Sequence, residues 1–106
     1  MRNEAFLRLF AGSGRRELGD GLELRVVPAY EVLQSRREAM DACGEDEQTL
    51  GLWMNACLLA RAIYRDGARA FSGGEALMRA ASAEQIERWT EDYAALCREE
   101  NPACSE

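Results

Sequence analysis

Residues 57–102 read CLLARAIYRDGARAFSGGEALMRAASAEQIERWTEDYAALCREENP, and their punctuation decides the fold. Apolar residues at Trp53, Met54, Cys57, Leu58, Ile63 and Tyr64 recur at helical spacing until Asp66-Gly67, where aspartate favours a turn and glycine tolerates positive φ. A helix is therefore expected to end near Arg65. Ser72 and Ser82 are each followed three residues on by Glu75 or Gln85, the capping-box pattern in which a hydroxyl satisfies orphan amides and the longer side chain caps back. Two helix starts are expected there. Between them, Ala68 to Phe71 reads as extended with Phe71 tucked inward, and Gly73-Gly74 lets the chain reverse before GEALMRAA. The last helix, 83 to about 99, places Ile86, Trp89, Tyr93, Leu96 and Cys97 on one side, with Glu84 and Arg88 in the favourable i, i+4 order outside. Asn101-Pro102 ends it.

Working back from this segment, Leu50 to Tyr64 is apolar nearly all round and is the expected centre of the core. Trp53 and Met54 are read as core in preference to an exposed docking patch. Glu45, Asp46 and Glu47 place negative charge where the macrodipole of that helix favours it. A helix from about 29 to 43 begins after Pro28, carries Tyr30, Leu33, Met40 and Cys43 as a loose apolar stripe, and stops at Gly44. Residues 15 to 27 read as a β-hairpin, with Leu18 before Gly19-Asp20-Gly21 and Leu22, Leu24 and Val26 alternating with Glu23 and Arg25. An isolated two-stranded ribbon is marginal in water, so its apolar face must meet the helices or another chain, which leaves a hairpin edge open to homo-oligomer formation. Phe6, Leu7, Leu9 and Phe10 fit a short amphipathic helix or arm within residues 1–14, and residues 103–106 read as a frayed tail. The expectation is one α+β domain over residues 1–106, predominantly helical, with four to five short helices and one N-terminal β-hairpin.

The composition narrows the chemistry. The 106 residues, 47% hydrophobic, suffice for one domain burying roughly 60–65% of its unfolded surface. There is no histidine and no lysine, so all positive side-chain charge is arginine. Histidine bases, Ser-His-Asp and Cys-His nucleophiles, Schiff-base lysines and the Walker lysine cannot be built from this chain alone. The net charge of −6 and pI of about 4.8 oppose nonspecific attraction to nucleic-acid phosphates or anionic membranes. Residues 1–37 carry +2 and residues 38–106 carry −8, so the acidity lies in the helical part. The four cysteines, at 43, 57, 97 and 104, form no Cys-x-x-Cys pair. No metal or other cofactor is expected. Reduced thiols in a cytoplasm fit them best, with Cys57 and Cys97 as small core residues. No signal peptide and no span of about 20 apolar residues is evident. The glycine pair at 73–74 lacks the spacing, lysine and preceding strand of a phosphate loop and reads as a connector.

The order of parts, an extended LELRVVPAYEVL leading into a first helix, the hydrophobic NACLLARAIY helix, the DGARAFSGGEAL connector, the SAEQIERWTEDYAAL helix and a REENP ending, resembles the small tail assembly chaperones of long-tailed bacteriophages and prophages. The resemblance is to their short forms in prophages of Gram-positive gut bacteria and covers residues 15 to 102. It implies a non-catalytic protein that holds the tape measure protein, and tail tube subunits with it, in the host cytoplasm during tail assembly and is not retained in the virion. Many relatives gain a C-terminal extension by frameshifting, and this chain looks like the unextended form.

Glu84, Glu87 and Glu91 on the last helix are the candidate contact face, against a reading in which they only solvate the protein. Such carboxylate pairs at one-turn spacing could in principle serve acid–base or metal chemistry, but they face away from the Trp89–Tyr93 stripe, and no enzymatic activity is expected. Tyr64 and Tyr93 lack an activating histidine or lysine and read as core or interface residues. Two other functional classes fit the sequence: a structural virion connector or completion protein, and an acidic phage inhibitor occupying a host nucleic-acid-binding site. The latter needs a DNA-like row of charges, which Arg61, Arg65, Arg69, Arg79 and Arg88 interrupt.

Overall fold

The computed structural model describes residues 14–100. The expected N-terminal helix or arm at Phe6–Phe10, the Asn101-Pro102 stop, the 103–106 tail and Cys104 lie outside the described residues. The fold is α+β and predominantly helical, as the sequence suggests, with the N-terminal hairpin in place. Strands β1 (Arg15–Gly19) and β2 (Leu22–Arg25) pair antiparallel with a register shift between Glu17 and Gly19. Their turn runs through Gly19, Asp20 and Gly21, all at positive φ (94°, 55° and 78°), which is why two of the three are glycine.

Helix α1 (Ala29–Cys43) starts after Pro28, and Gly44 closes it at φ 59° with its N–H donating to the Met40 carbonyl at 3.2 Å. A 3-10 turn (Glu47–Thr49) leads into α2 (Leu50–Ala62). The helix expected to continue to about Arg65 instead ends at Ala62. Ile63 adopts extended angles, and β3 (Ile63–Arg65) pairs with β2 in the register Leu22↔Arg65, Glu23↔Tyr64, Leu24↔Ile63. Asp66-Gly67, read from sequence as a helix stop, is the two-residue turn of a second hairpin, with φ 55° and 84°, joining β3 to β4 (Ala68–Arg69). The reason is that Asp-Gly in this conformation matches the twist of flanking strands, and a β-branched residue and a tyrosine gain more from pairing with β2 than from a last helical turn. The hairpin thus becomes part of a four-stranded sheet in the order β1-β2-β3-β4. Of the two hairpin edges, that of β2 is filled by β3 of the same chain; β1 lies at an edge of the sheet.

Helix α3 (Gly74–Ala80) follows the connector, and α4 (Ala83–Glu100) closes the described chain. At α4 the expected cap forms, with the Gln85 N–H donating to Ser82 Oγ at 3.1 Å. At α3 it does not: the N-cap position is Gly73, and the Gly74 N–H donates to Glu38 Oε2 of α1 at 3.0 Å. A carboxylate from a neighbouring helix supplants the Ser72 hydroxyl, and Glu75 turns to Arg79 instead. Helix α2 is the centre, in contact with the other three helices. Its Ala56, Leu59, Ala60 and Ala62 meet Leu24 and Ile63 of the sheet, Leu77 of α3, and Ile86, Tyr93 and Leu96 of α4 in one buried cluster. Phe71 packs beside Trp89 with ring centroids 6.3 Å apart, inward as expected.

Candidate protein-docking surface

Helix α1 is built with its large apolar residues outward. The side it turns to the protein is small: Ser35 and Ala39 are buried, and the Ser35 hydroxyl donates to the Val32 carbonyl at 2.7 Å, so its burial leaves no unmet donor. Short side chains let α1 lie close along α2. As a result Tyr30, Leu33 and Met40 stay in solvent, 69%, 51% and 60% exposed. They recur with Arg37 at i, i+3, i+7 and i+10, so the four form one line on the outer side of the helix. The apolar stripe legible in the sequence therefore exists, but it lines the outside, with Cys43 alone of its members half-buried. Among the described residues, Leu52 at the start of α2 is the remaining exposed large hydrophobic.

Arg36 and Arg37 sit midway along this line, and neither has an ion-pair partner among the described residues. Most other arginines are engaged. Arg16 reaches Asp92 and Glu99 of α4, Arg61 and Arg69 converge on Glu31 at 2.7 and 2.9 Å, and Arg25 lies 4.2 Å over the Tyr64 ring. The hydrogen bond from Arg61, with Arg69 beside it, lowers the Glu31 pKa below its ordinary value.

Beside the line runs an open groove of about 630 Å³ between α1, α2 and α3, whose walls include Arg37, Asp41, Trp53 and Glu75. Cys57 of α2 is buried and closely approached by Gly74 at the start of α3. Burial, with Glu38 nearby, pushes the Cys57 thiol up to about 12, so it stays protonated at neutral pH and is a packing group. Trp53, read from sequence as core, is half-buried on this wall.

Glu84, Glu87 and Glu91 are all exposed on α4, opposite its buried Ile86, Tyr93 and Leu96. Arg88 stands among them and no large exposed apolar residue accompanies them. The charged face expected on the last helix is thus present, whereas the α1 face is not among the sequence expectations. A signal for it exists in the sequence: two adjacent arginines inside an apolar stripe, with serine and alanine on the opposite side, mark the apolar side as the outer one.

No group of acidic or cysteine residues suited to a metal ion occurs among the described residues, and no described helix is long and apolar enough to cross a membrane. Comparison of the chain with protein-family models, with curated proteins and with solved structures finds no match.

Proposed function

We propose that this chain is a protein-binding assembly chaperone of phage tail morphogenesis, which holds the tape measure protein, with tail tube subunits as further clients, in the host cytoplasm and leaves before the virion is complete. The resemblance of residues 15–102 to short tail assembly chaperones supplies the role. The observation that carries it physically is the line Tyr30, Leu33 and Met40, exposed along the whole of α1. A monomeric domain gains nothing in stability from large apolar groups in water, whereas a holding protein needs such a surface to shield helical or apolar client segments reversibly. Holding requires neither cofactor nor hydrolysis, because binding alone shifts the client away from aggregation.

The test is co-expression of the tagged chain with a tape measure protein and a tail tube protein from the genome that encodes it. The tape measure protein is expected to become soluble and to co-purify. Failure to bind or solubilise either client, together with recovery of this chain from mature particles by mass spectrometry, would replace the chaperone reading with that of a virion connector.

A further inference from the structure

We infer that the outer face of α1 docks an acidic amphipathic helix of a partner protein, one with apolar residues at i, i+3 or i+4 and i+7 flanked at mid-length by Asp or Glu. This rests on the proposed protein-binding role and says which chemistry the chain selects. Tyr30, Leu33 and Met40 give three apolar anchors spaced over about three helical turns, the length that one helix laid on another can cover. Arg36 and Arg37 lie between Leu33 and Met40, both exposed and without ion-pair partners among the described residues. Of the acids on the groove wall, Glu38 accepts the Gly74 N–H, Glu75 pairs with Arg79, and Asp41, one turn beyond Arg37, makes no ion pair with it, so the guanidinium groups remain available.

Charge decides the occupant. A parallel second copy of α1 would set Arg36 and Arg37 against the same residues of its mate, and an antiparallel one, with Tyr30 over Met40, would set Arg37 against Leu33 and keep the four guanidinium groups within about a turn of each other at the middle of the contact. The acidic face of α4 in a second copy offers carboxylates but no large exposed apolar residue to meet the three anchors. A basic helix is repelled at the same central point. An acidic amphipathic helix meets the anchors with apolar groups and the two arginines with carboxylates, and arginine forms that pair with bidentate geometry. The chain's net charge of −6 opposes an acidic partner at long range, so selectivity for an acidic helix rests on the two arginines at the contact itself.

The experiment uses the full chain and three synthetic helical peptides: one with leucines at i, i+3 and i+7 and central glutamates, one with lysines in place of the glutamates, and one with the acidic sequence scrambled to destroy its apolar face. Binding is read by fluorescence anisotropy, and folding of each variant by far-UV circular dichroism. The acidic amphipathic peptide is expected to bind at least about tenfold more tightly than either control and more weakly as salt rises. The double variant R36E/R37E should reverse the preference in favour of the lysine peptide, and L33D/M40D should abolish binding of both while leaving the circular dichroism unchanged. Equal binding of acidic and lysine peptides, or binding indifferent to L33D/M40D, overturns the inference. So does a concentration-dependent dimer, seen by sedimentation and lost in L33D/M40D, since the face would then belong to a second copy. The chaperone reading stands or falls separately. Tape measure capture that survives L33D/M40D keeps that reading and sinks this one, whereas peptide selectivity without tape measure capture does the reverse.

Discussion

At the residue scale, the tightest constraint is Gly74, where α3 begins against α2. A Cβ there would lie 2.5 Å from Cys57 Sγ and 3.1 and 3.2 Å from the Cys57 Cα and N, and backbone atoms cannot swing aside as the end of a side chain can. Gly74→Ala is therefore expected to destabilise by about 1–3 kcal/mol in urea unfolding. Gly51 is the control. It lies in α2 with nothing within 4 Å of where a Cβ would stand, so Gly51→Ala should stabilise by about 0.4–1 kcal/mol through the unfolded state. Two weak acids held by the fold set a second expectation. Burial raises Tyr93 from 10.0 to about 12, its hydroxyl accepting the Val27 N–H at 3.0 Å, and raises Cys57 from 9.0 to about 12. In the unfolded chain both ionise earlier, so the folded state binds more protons in this range. Their contribution is full below pH 9 and is lost as pH climbs through 10 towards about 12. Urea midpoints should fall as pH rises from about 9 to about 11, and Cys57→Ala should flatten that slope; an unchanged slope in that variant would mean that the fold does not hold Cys57 neutral.

At the element scale, α1 inverts the usual rule, and that inversion can be measured. Leu33→Ala on its outer line should change stability by no more than about 0.5 kcal/mol, while Leu77→Ala in the core should cost about 2–5 kcal/mol. A large loss at Leu33 would show that the stripe is covered within the protein. Elements whose signals are local are legible in the sequence. The β1–β2 hairpin, the bounds of α1 at Pro28 and Gly44, and the Ser82 cap of α4 each depend on residues within a few positions of one another. What is not legible depends on distant partners. Ile63 and Tyr64 continue a helical pattern until β2, some 40 positions earlier, offers an edge to pair with. Ser72 has the capping-box spacing, yet Glu38, on a different helix, takes the Gly74 N–H. The orientation of α1 is intermediate: the serine and alanine that allow close approach are in the sequence, but only the neighbouring α2 decides which side of the helix they face.

At the scale of the whole molecule, the described residues are tied together from β1 to the last turn of α4, so their parts should not unfold separately. The sheet joins residues 15–25 to residues 63–69, and a hairpin of two strands would not persist without its third. Helix α2 touches every other helix, and Arg16 of β1 pairs with Asp92 and Glu99 near the far end of α4. The Val27 N–H, just beyond β2, is satisfied by Tyr93 in α4. Each link would be broken by loss of either end, which couples the opening of α4 to the sheet and to α2. The two tryptophans are placed to test this. Trp53 lies on the groove wall between α1 and α3, and Trp89 lies on α4 beside Phe71. In W53F, where Trp89 is the reporter, and in W89F, where Trp53 is, the fluorescence transition in urea should coincide with the far-UV circular dichroism transition of the same variant. If Trp89 became exposed at lower urea than the helical signal was lost, α4 would be leaving a surviving α1–α2–sheet body. The Tyr93 and Arg16 links would then be too weak to couple it, and the acidic row Glu84, Glu87 and Glu91 would sit on a separable arm instead of on the same rigid body as the α1 face.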